Sequence, residues 1–123
     1  MVVDDDPALL GFTCKYLSRL GYSVTPYRSA EEAWKHFDMP GAHFALALID
    51  FSLSGLSGER LSRLMLDANP EVRLILTSGY PFDMENLFQT TSDRLAFLHK
   101  PFTPAMLAET IDKLIGASKK NAD

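Results

Sequence analysis

At 123 residues, 46% of them hydrophobic, the chain has material for one compact domain around a single core and no room for a second. A formal charge of -4 and an isoelectric point near 5.3, with no cluster of Lys or Arg against that average, argue against direct contact with nucleic acid. The single cysteine excludes an intrachain disulfide, and no basic leader or membrane-length apolar run occurs, so the chain reads as a soluble protein of a reducing compartment, the cytoplasm.

The first apolar run, 1–3, has strand length and leads directly into Asp4, Asp5 and Asp6. Asp6 before Pro7 marks a helix start, because proline at the first helical position loses only an N–H that the helix leaves unpaired. This helix contains Cys14, read as a packing residue, and Gly21 suits the left-handed position that closes it. A second strand is expected over 23–27. Ser29 and Glu32 then form a capping box, followed by Ala30, Ala33, Trp34 and Phe37 on one helical face. Trp34 and His36 in this helix, like His43 and His99 elsewhere, carry no ligand or phosphodonor pattern and read as packing or surface residues.

The third strand, 44–49, ends at Asp50. Leu61, Leu64, Met65 and Ala68 give the next helix its apolar stripe. The fourth strand, 72–77, closes with Thr77 and Ser78, and a weakly patterned fourth helix is expected over 83–89. The fifth strand, 95–98, runs into Lys100. Thr103 before Pro104 starts a last helix, in which Leu107, Ile111 and Leu114 share a face. The domain is expected to span 1–116, with a polar tail, 117–123, that frays. A free-standing protein and a piece of a longer one both fit these limits.

Strands apolar throughout, alternating with helices, imply a parallel (βα)₅ sheet covered on both faces. Such sheets bind ligands beyond the carboxyl ends of their strands, where Asp4, Asp5, Asp50, Thr77 and Lys100 all fall. Each has an ordinary reading alone: cap, loop acid, strand residue, surface lysine. No structural need calls for all four types together at successive strand ends. Crowded carboxylates repel unless protonated or bridged by a cation, and oxygen ligands favour Mg²⁺ or Mn²⁺. Lys100 and the Thr77 hydroxyl could meet phosphoryl oxygens, leaving Asp50 as nucleophile for an acyl phosphate.

With VVDDDP, ALALIDFSLSGLSGE, LILTSGYP and FLHKPFTP in place, the sequence resembles the receiver domains of two-component response regulators over nearly its full length. The resemblance implies a flavodoxin-like doubly wound fold with strand order 2-1-3-4-5. It makes Asp4 and Asp5 the acidic pair, with Asp5 the more direct metal ligand, Asp50 the phosphoacceptor and the Ser52 backbone carbonyl a further ligand. Thr77 and Phe97 become switch residues, Lys100 the partner of the phosphoryl group, Lys100–Pro101 a cis peptide and Gly58 the loop-closing glycine. The donor would be a histidine kinase or histidine phosphotransfer protein. The signal would reach an effector through the face of the fourth helix, fifth strand and last helix. Ser54 departs from the pattern by standing where the family usually has proline. The TSGY at 77–80 resembles receivers fused to hybrid sensor kinases.

Two other functions compete. A phosphohydrolase of the haloacid dehalogenase type would use Asp4 and Asp6 as its Asp-x-Asp pair, but it lacks the late acidic pair and a cap. A docking module that keeps the fold without the chemistry would have no need of both Asp50 and Lys100.

Overall fold

The computed structural model describes residues 1–41, 44–53, 57–79 and 94–122, with backbone alone for 116–122. The expected fourth helix at 83–89, together with His43, Ser54 and Tyr80, lies outside these residues. Five parallel strands, β1 (Val2–Val3), β2 (Pro26–Tyr27), β3 (Leu46–Asp50), β4 (Arg73–Ser78) and β5 (Leu95–His99), form one sheet in the order β2-β1-β3-β4-β5. Helices α1 (Pro7–Arg19), α2 (Ala30–Phe37), α3 (Gly58–Ala68) and a C-terminal helix, Pro104–Ala122, complete the described fold.

Alternation along the strands divides the core between two faces. Val3, Ile49, Leu74 and Leu76 pack with Ala33, Leu61 and Met65 of α2 and α3, whereas Val2, Leu48, Ile75 and Leu98 pack with Leu10 and Leu17 of α1 and with Leu107, Ile111 and Leu114 of the C-terminal helix. Both faces are therefore dry, as the uninterrupted apolar runs require. Each fully buried Leu or Ile contributes about 1.5–3 kcal/mol. Cys14 sits half-buried against the second cluster, and Trp34 stacks on Phe37 at the rim of the first.

The helix ends form as their residues dictate. Asp6 Oδ1 accepts from the N–H groups of Ala8 and Leu9, Ser29 Oγ from Glu32, and Thr103 Oγ1 from Met106. At the close of α1, Gly21 has φ +97°, its N–H reaches the Ser18 carbonyl, and the Tyr22 N–H reaches that of Leu17, which together make a Schellman motif. Ser57 caps α3 by accepting from Arg60.

Most strand boundaries shift by one or two residues from the sequence reading, the third strand for instance beginning at Leu46 and not at 44, and two shifts are larger. The second strand contracts from 23–27 to Pro26–Tyr27, because it lies at the sheet edge and pairs only with β1, through bonds at Thr25 and Tyr27. Pro26, which can donate no bond, is tolerated there. The C-terminal helix continues to Ala122, over residues whose polarity suggested fraying; after Gly116 the sequence offers no proline or second glycine to stop it.

Candidate functional site

β1 and β3 are adjacent, with Val3 opposite Ile49, so the acids that follow each strand emerge side by side. Asp4 and Asp50 are buried at 6% and 5% exposure, while Asp5 is exposed. One oxygen from each of Asp4, Asp5 and Asp50 lies within 4.8 Å of the other two, close enough for a single cation to bind all three. Asp6, which the hydrolase alternative needs as a partner of Asp4, instead caps α1 from an exposed position.

The next strands supply the hydroxyl and the amine. Thr77 is buried and stands opposite Asp50 in the β3–β4 register, and its carbonyl accepts from the Phe51 N–H at 2.7 Å. The Lys100 N–H donates to the Ser78 carbonyl at 2.8 Å, and the peptide from Lys100 to Pro101 is cis, as the resemblance implied. Lys100 Nζ lies 3.2 Å from both Asp4 Oδ2 and Asp50 Oδ2. The opposite oxygens are also engaged: Asp4 Oδ1 accepts from the Asp6 N–H at 2.9 Å and Asp50 Oδ1 from the Ser52 N–H at 3.0 Å.

Burial pushes the Asp4 carboxyl above the usual carboxylate range, and the charge of Asp50 adds to that; the Asp6 N–H and Lys100 pull the other way without cancelling it. For Lys100, burial alone would lower the ammonium, but the attraction of Asp4 and Asp50 outweighs it and raises the group. The pair of buried acids therefore holds its lysine firmly charged, while Asp4 itself is under-compensated. A small hard cation matches that deficit, and the all-oxygen donor set matches Mg²⁺ or Mn²⁺.

Gly58 sets the loop between Asp50 and α3. A Cβ there would overlap the Asp50 carbonyl oxygen and stand 2.8 Å from Phe51 Cα, so the start of α3 lies against the backbone of the phosphoacceptor candidate only because no side chain intervenes. Ser62 Oγ donates to the Gly58 carbonyl one turn later. Phe97 is half-buried against the α2–α3 side of the core, opposite Leu76 of β4. His36 is bonded to the Tyr27 hydroxyl at 2.8 Å, and His99 is exposed at the end of β5.

Sequence reasoning missed two residues. Ser57 was legible as a cap, a serine just ahead of the Leu61 and Leu64 stripe. Arg94 belongs to no motif, yet its guanidinium donates to the carbonyls of Leu66, Asn69 and Val72, tying the end of α3 to the start of β5.

The chain belongs to the response regulator receiver domain family, whose model matches residues 1–112. It is 25% identical over 115 residues to the sensor kinase CckA of Brucella abortus and 26% identical over 121 residues to the transcriptional regulatory protein CssR of Bacillus subtilis. These alignments cover 94% and 98% of this chain, but the chain spans only 12% and 52% of those relatives. A receiver domain protein of Methanospirillum hungatei, described as CheY-like, superposes with a TM-score of 0.82 at 30% identity, covering 97% of this chain and 94% of that one. The protein is thus a receiver domain of two-component signalling.

Proposed function

We propose that Asp50 accepts a phosphoryl group from a phosphohistidine on a partner, a histidine kinase or histidine phosphotransfer protein, in a reaction that depends on Mg²⁺ or Mn²⁺. One observation carries the reading: the buried Asp4 and Asp50 converge on Lys100 at 3.2 Å, with the exposed Asp5 completing a three-carboxylate cluster. A lost-function docking module would have no reason to hold two buried acids together at that cost.

The cation would be held by Asp4, Asp5, Asp50 and the Ser52 carbonyl, and when bound it supplies positive charge to the phosphoryl oxygens. The chain's own groups account for the remaining steps. A carboxylate oxygen of Asp50 attacks phosphorus as the P–N bond to the partner imidazole breaks. The departing ring keeps the electron pair and takes up a proton. Ser52 N–H fixes the orientation of the attacking carboxylate, while Lys100 and the Thr77 hydroxyl donate to the phosphoryl oxygens. The product stays on the chain as an aspartyl phosphate, so the event is a modification that signals and not a turnover reaction. Thr77 and Phe97 then pass the change to the face of β5 and the C-terminal helix, which requires two states only a few kcal/mol apart.

Incubation with a small acyl phosphate and Mg²⁺ should label the chain once. The label should vanish with EDTA and in Asp50→Asn. Undiminished labelling of Asp50→Asn would refute the assignment.

A further inference from the structure

α3 ends without the usual means of closing itself. Its last turn contains no basic residue, and Asn69, which follows it, is extended (φ -136°, ψ 112°) and not left-handed, so no Schellman bonds form there. The carbonyls that the helix leaves over are taken instead by Arg94, the residue that leads into β5. One terminal nitrogen of its guanidinium donates to the Leu66 carbonyl at 3.2 Å and to that of Asn69, and Nε donates to the Val72 carbonyl at 3.2 Å. Among the described residues no carboxylate pairs directly with this half-buried guanidinium. Asp67 acts on it only at longer range, and the negative end of α3 faces it directly.

The other end of α3 has no slack. Gly58 lies so close to the Asp50 carbonyl that a Cβ would overlap it, and Ser62 Oγ donates back to the Gly58 carbonyl at 2.6 Å. Between these ends run 11 helical residues, a rod of about 16 Å. From Arg94, whose own carbonyl accepts from the Leu74 N–H at 2.8 Å, β5 runs back toward Lys100, and Lys100 Nζ meets Asp50 Oδ2 at 3.2 Å. α3 and β5 are thus joined twice, by Arg94 at the amino ends of the strands and through Asp50 at the carboxyl ends.

We propose that Arg94 is a positioning residue for the Asp50 site, acting through α3. By holding the far end of the rod it fixes the backbone from Asp50 to Ser52, and with it the carboxylate orientation and the Ser52 carbonyl offered to the cation. Loss of the guanidinium leaves three carbonyls to find other partners, so the last turn of α3 is released from β5. Packed helices answer such a loss by small sliding shifts. The Gly58 contact moves, and so does Ser52, whose N–H holds Asp50 Oδ1 at 3.0 Å. Thr77, Lys100 and the Asp50 side chain all remain, so the deficit falls on cation affinity more than on phosphoryl transfer. Coupling between two sites is reciprocal, and a cation at the carboxylates must in turn tighten the bonds of Arg94. This inference rests on the reading of Asp50 as a cation-assisted phosphoacceptor.

The test measures acyl phosphate labelling against Mg²⁺ concentration for the parent, Arg94→Met, Arg94→Lys and Leu17→Ala, each at a temperature where it is folded. Arg94→Met should raise the Mg²⁺ needed for half-maximal labelling about three- to tenfold, while the rate at saturating Mg²⁺ stays within about twofold. Arg94→Lys keeps the charge without the planar fork and should fall between Arg94→Met and the parent. Leu17→Ala weakens the core beneath α1 and should lower Tm with no change in the Mg²⁺ requirement. One reading needs no variant: in the parent, the Nε–H proton of Arg94 should exchange with water about three- to tenfold more slowly with Mg²⁺ than without, as followed by NMR. A parent that neither labels nor binds Mg²⁺ removes the phosphoacceptor reading and this inference with it. A labelled parent whose Mg²⁺ requirement is unchanged in both Arg94 variants, or rises equally in Leu17→Ala, overturns this inference alone. Should neither Arg94 variant fold, an exchange rate indifferent to Mg²⁺ overturns it.

Discussion

Lys100 competes with any cation for the same oxygens. Both oxygens of Asp4 and both of Asp50 already have partners, and Lys100 takes one of each. Lys100→Met should tighten Mg²⁺ binding by about five- to tenfold, the equivalent of one partly buried ion pair, while slowing acyl phosphate labelling. Calorimetric titration of the variant against the parent measures the first effect. Asp4 sets the pH response. Its carboxyl is raised in the folded chain, so its contribution to stability is full below the ordinary value of 3.8 and is lost as pH rises through the folded value. Without metal, Asp4→Asn should therefore unfold a few degrees higher than the parent at pH 7, with the advantage gone below pH 3.8. In the parent, Mg²⁺ should add stability at neutral pH and lose its effect in acid sooner than an ordinary aspartate would dictate. Thermal scans with and without Mg²⁺ across that range check both statements.

At the scale of elements, α3 is fixed at both ends by features of different visibility. Gly58→Ala forces a Cβ into the Asp50 carbonyl and should cost about 2–4 kcal/mol, with labelling of Asp50 reduced because the loop must shift. Removing the cap with Ser57→Ala should cost about 1 kcal/mol and leave labelling nearly unchanged. Urea unfolding of the two variants separates a loop held by backbone contact from a helix end held by one hydrogen bond. The strand-end acids, Thr77 and Lys100 were legible because parallel sheets expose chemistry at one predictable edge, and each lay at or shortly beyond the end of an apolar run. Capping at Asp6, Ser29 and Thr103 was legible because it is local. Arg94 was not, since its three carbonyl partners lie 22 to 28 residues away and belong to a helix end and a loop. The short β2 was misjudged for a related reason: Val24 and Thr25 have strand propensity, but at an edge with one neighbour that preference yields only two ladder residues. The engagement of all four oxygens of the two buried acids was equally invisible, because it depends on backbone N–H directions that no residue type announces.

For the molecule as a whole, the sheet separates two regions: carboxylates and a lysine at one rim, the Arg94 guanidinium at the other. Both clusters of the core meet on β3 and β4, so unfolding of either face should expose the other, and Mg²⁺ should raise the single Tm without splitting the transition. Calorimetry with and without the cation tests this; two resolved transitions would contradict it. The outer border at β2 has a further consequence. An open sheet margin invites a neighbouring polypeptide to lengthen it, and such end-to-end growth is how many β-rich proteins clump. Here that margin is only two residues long and one of them is an imino acid, so a stranger's backbone finds too little to zip onto. Self-association by sheet growth on that flank is discouraged by sequence alone, and Pro26→Val should make concentrated samples more prone to turbidity.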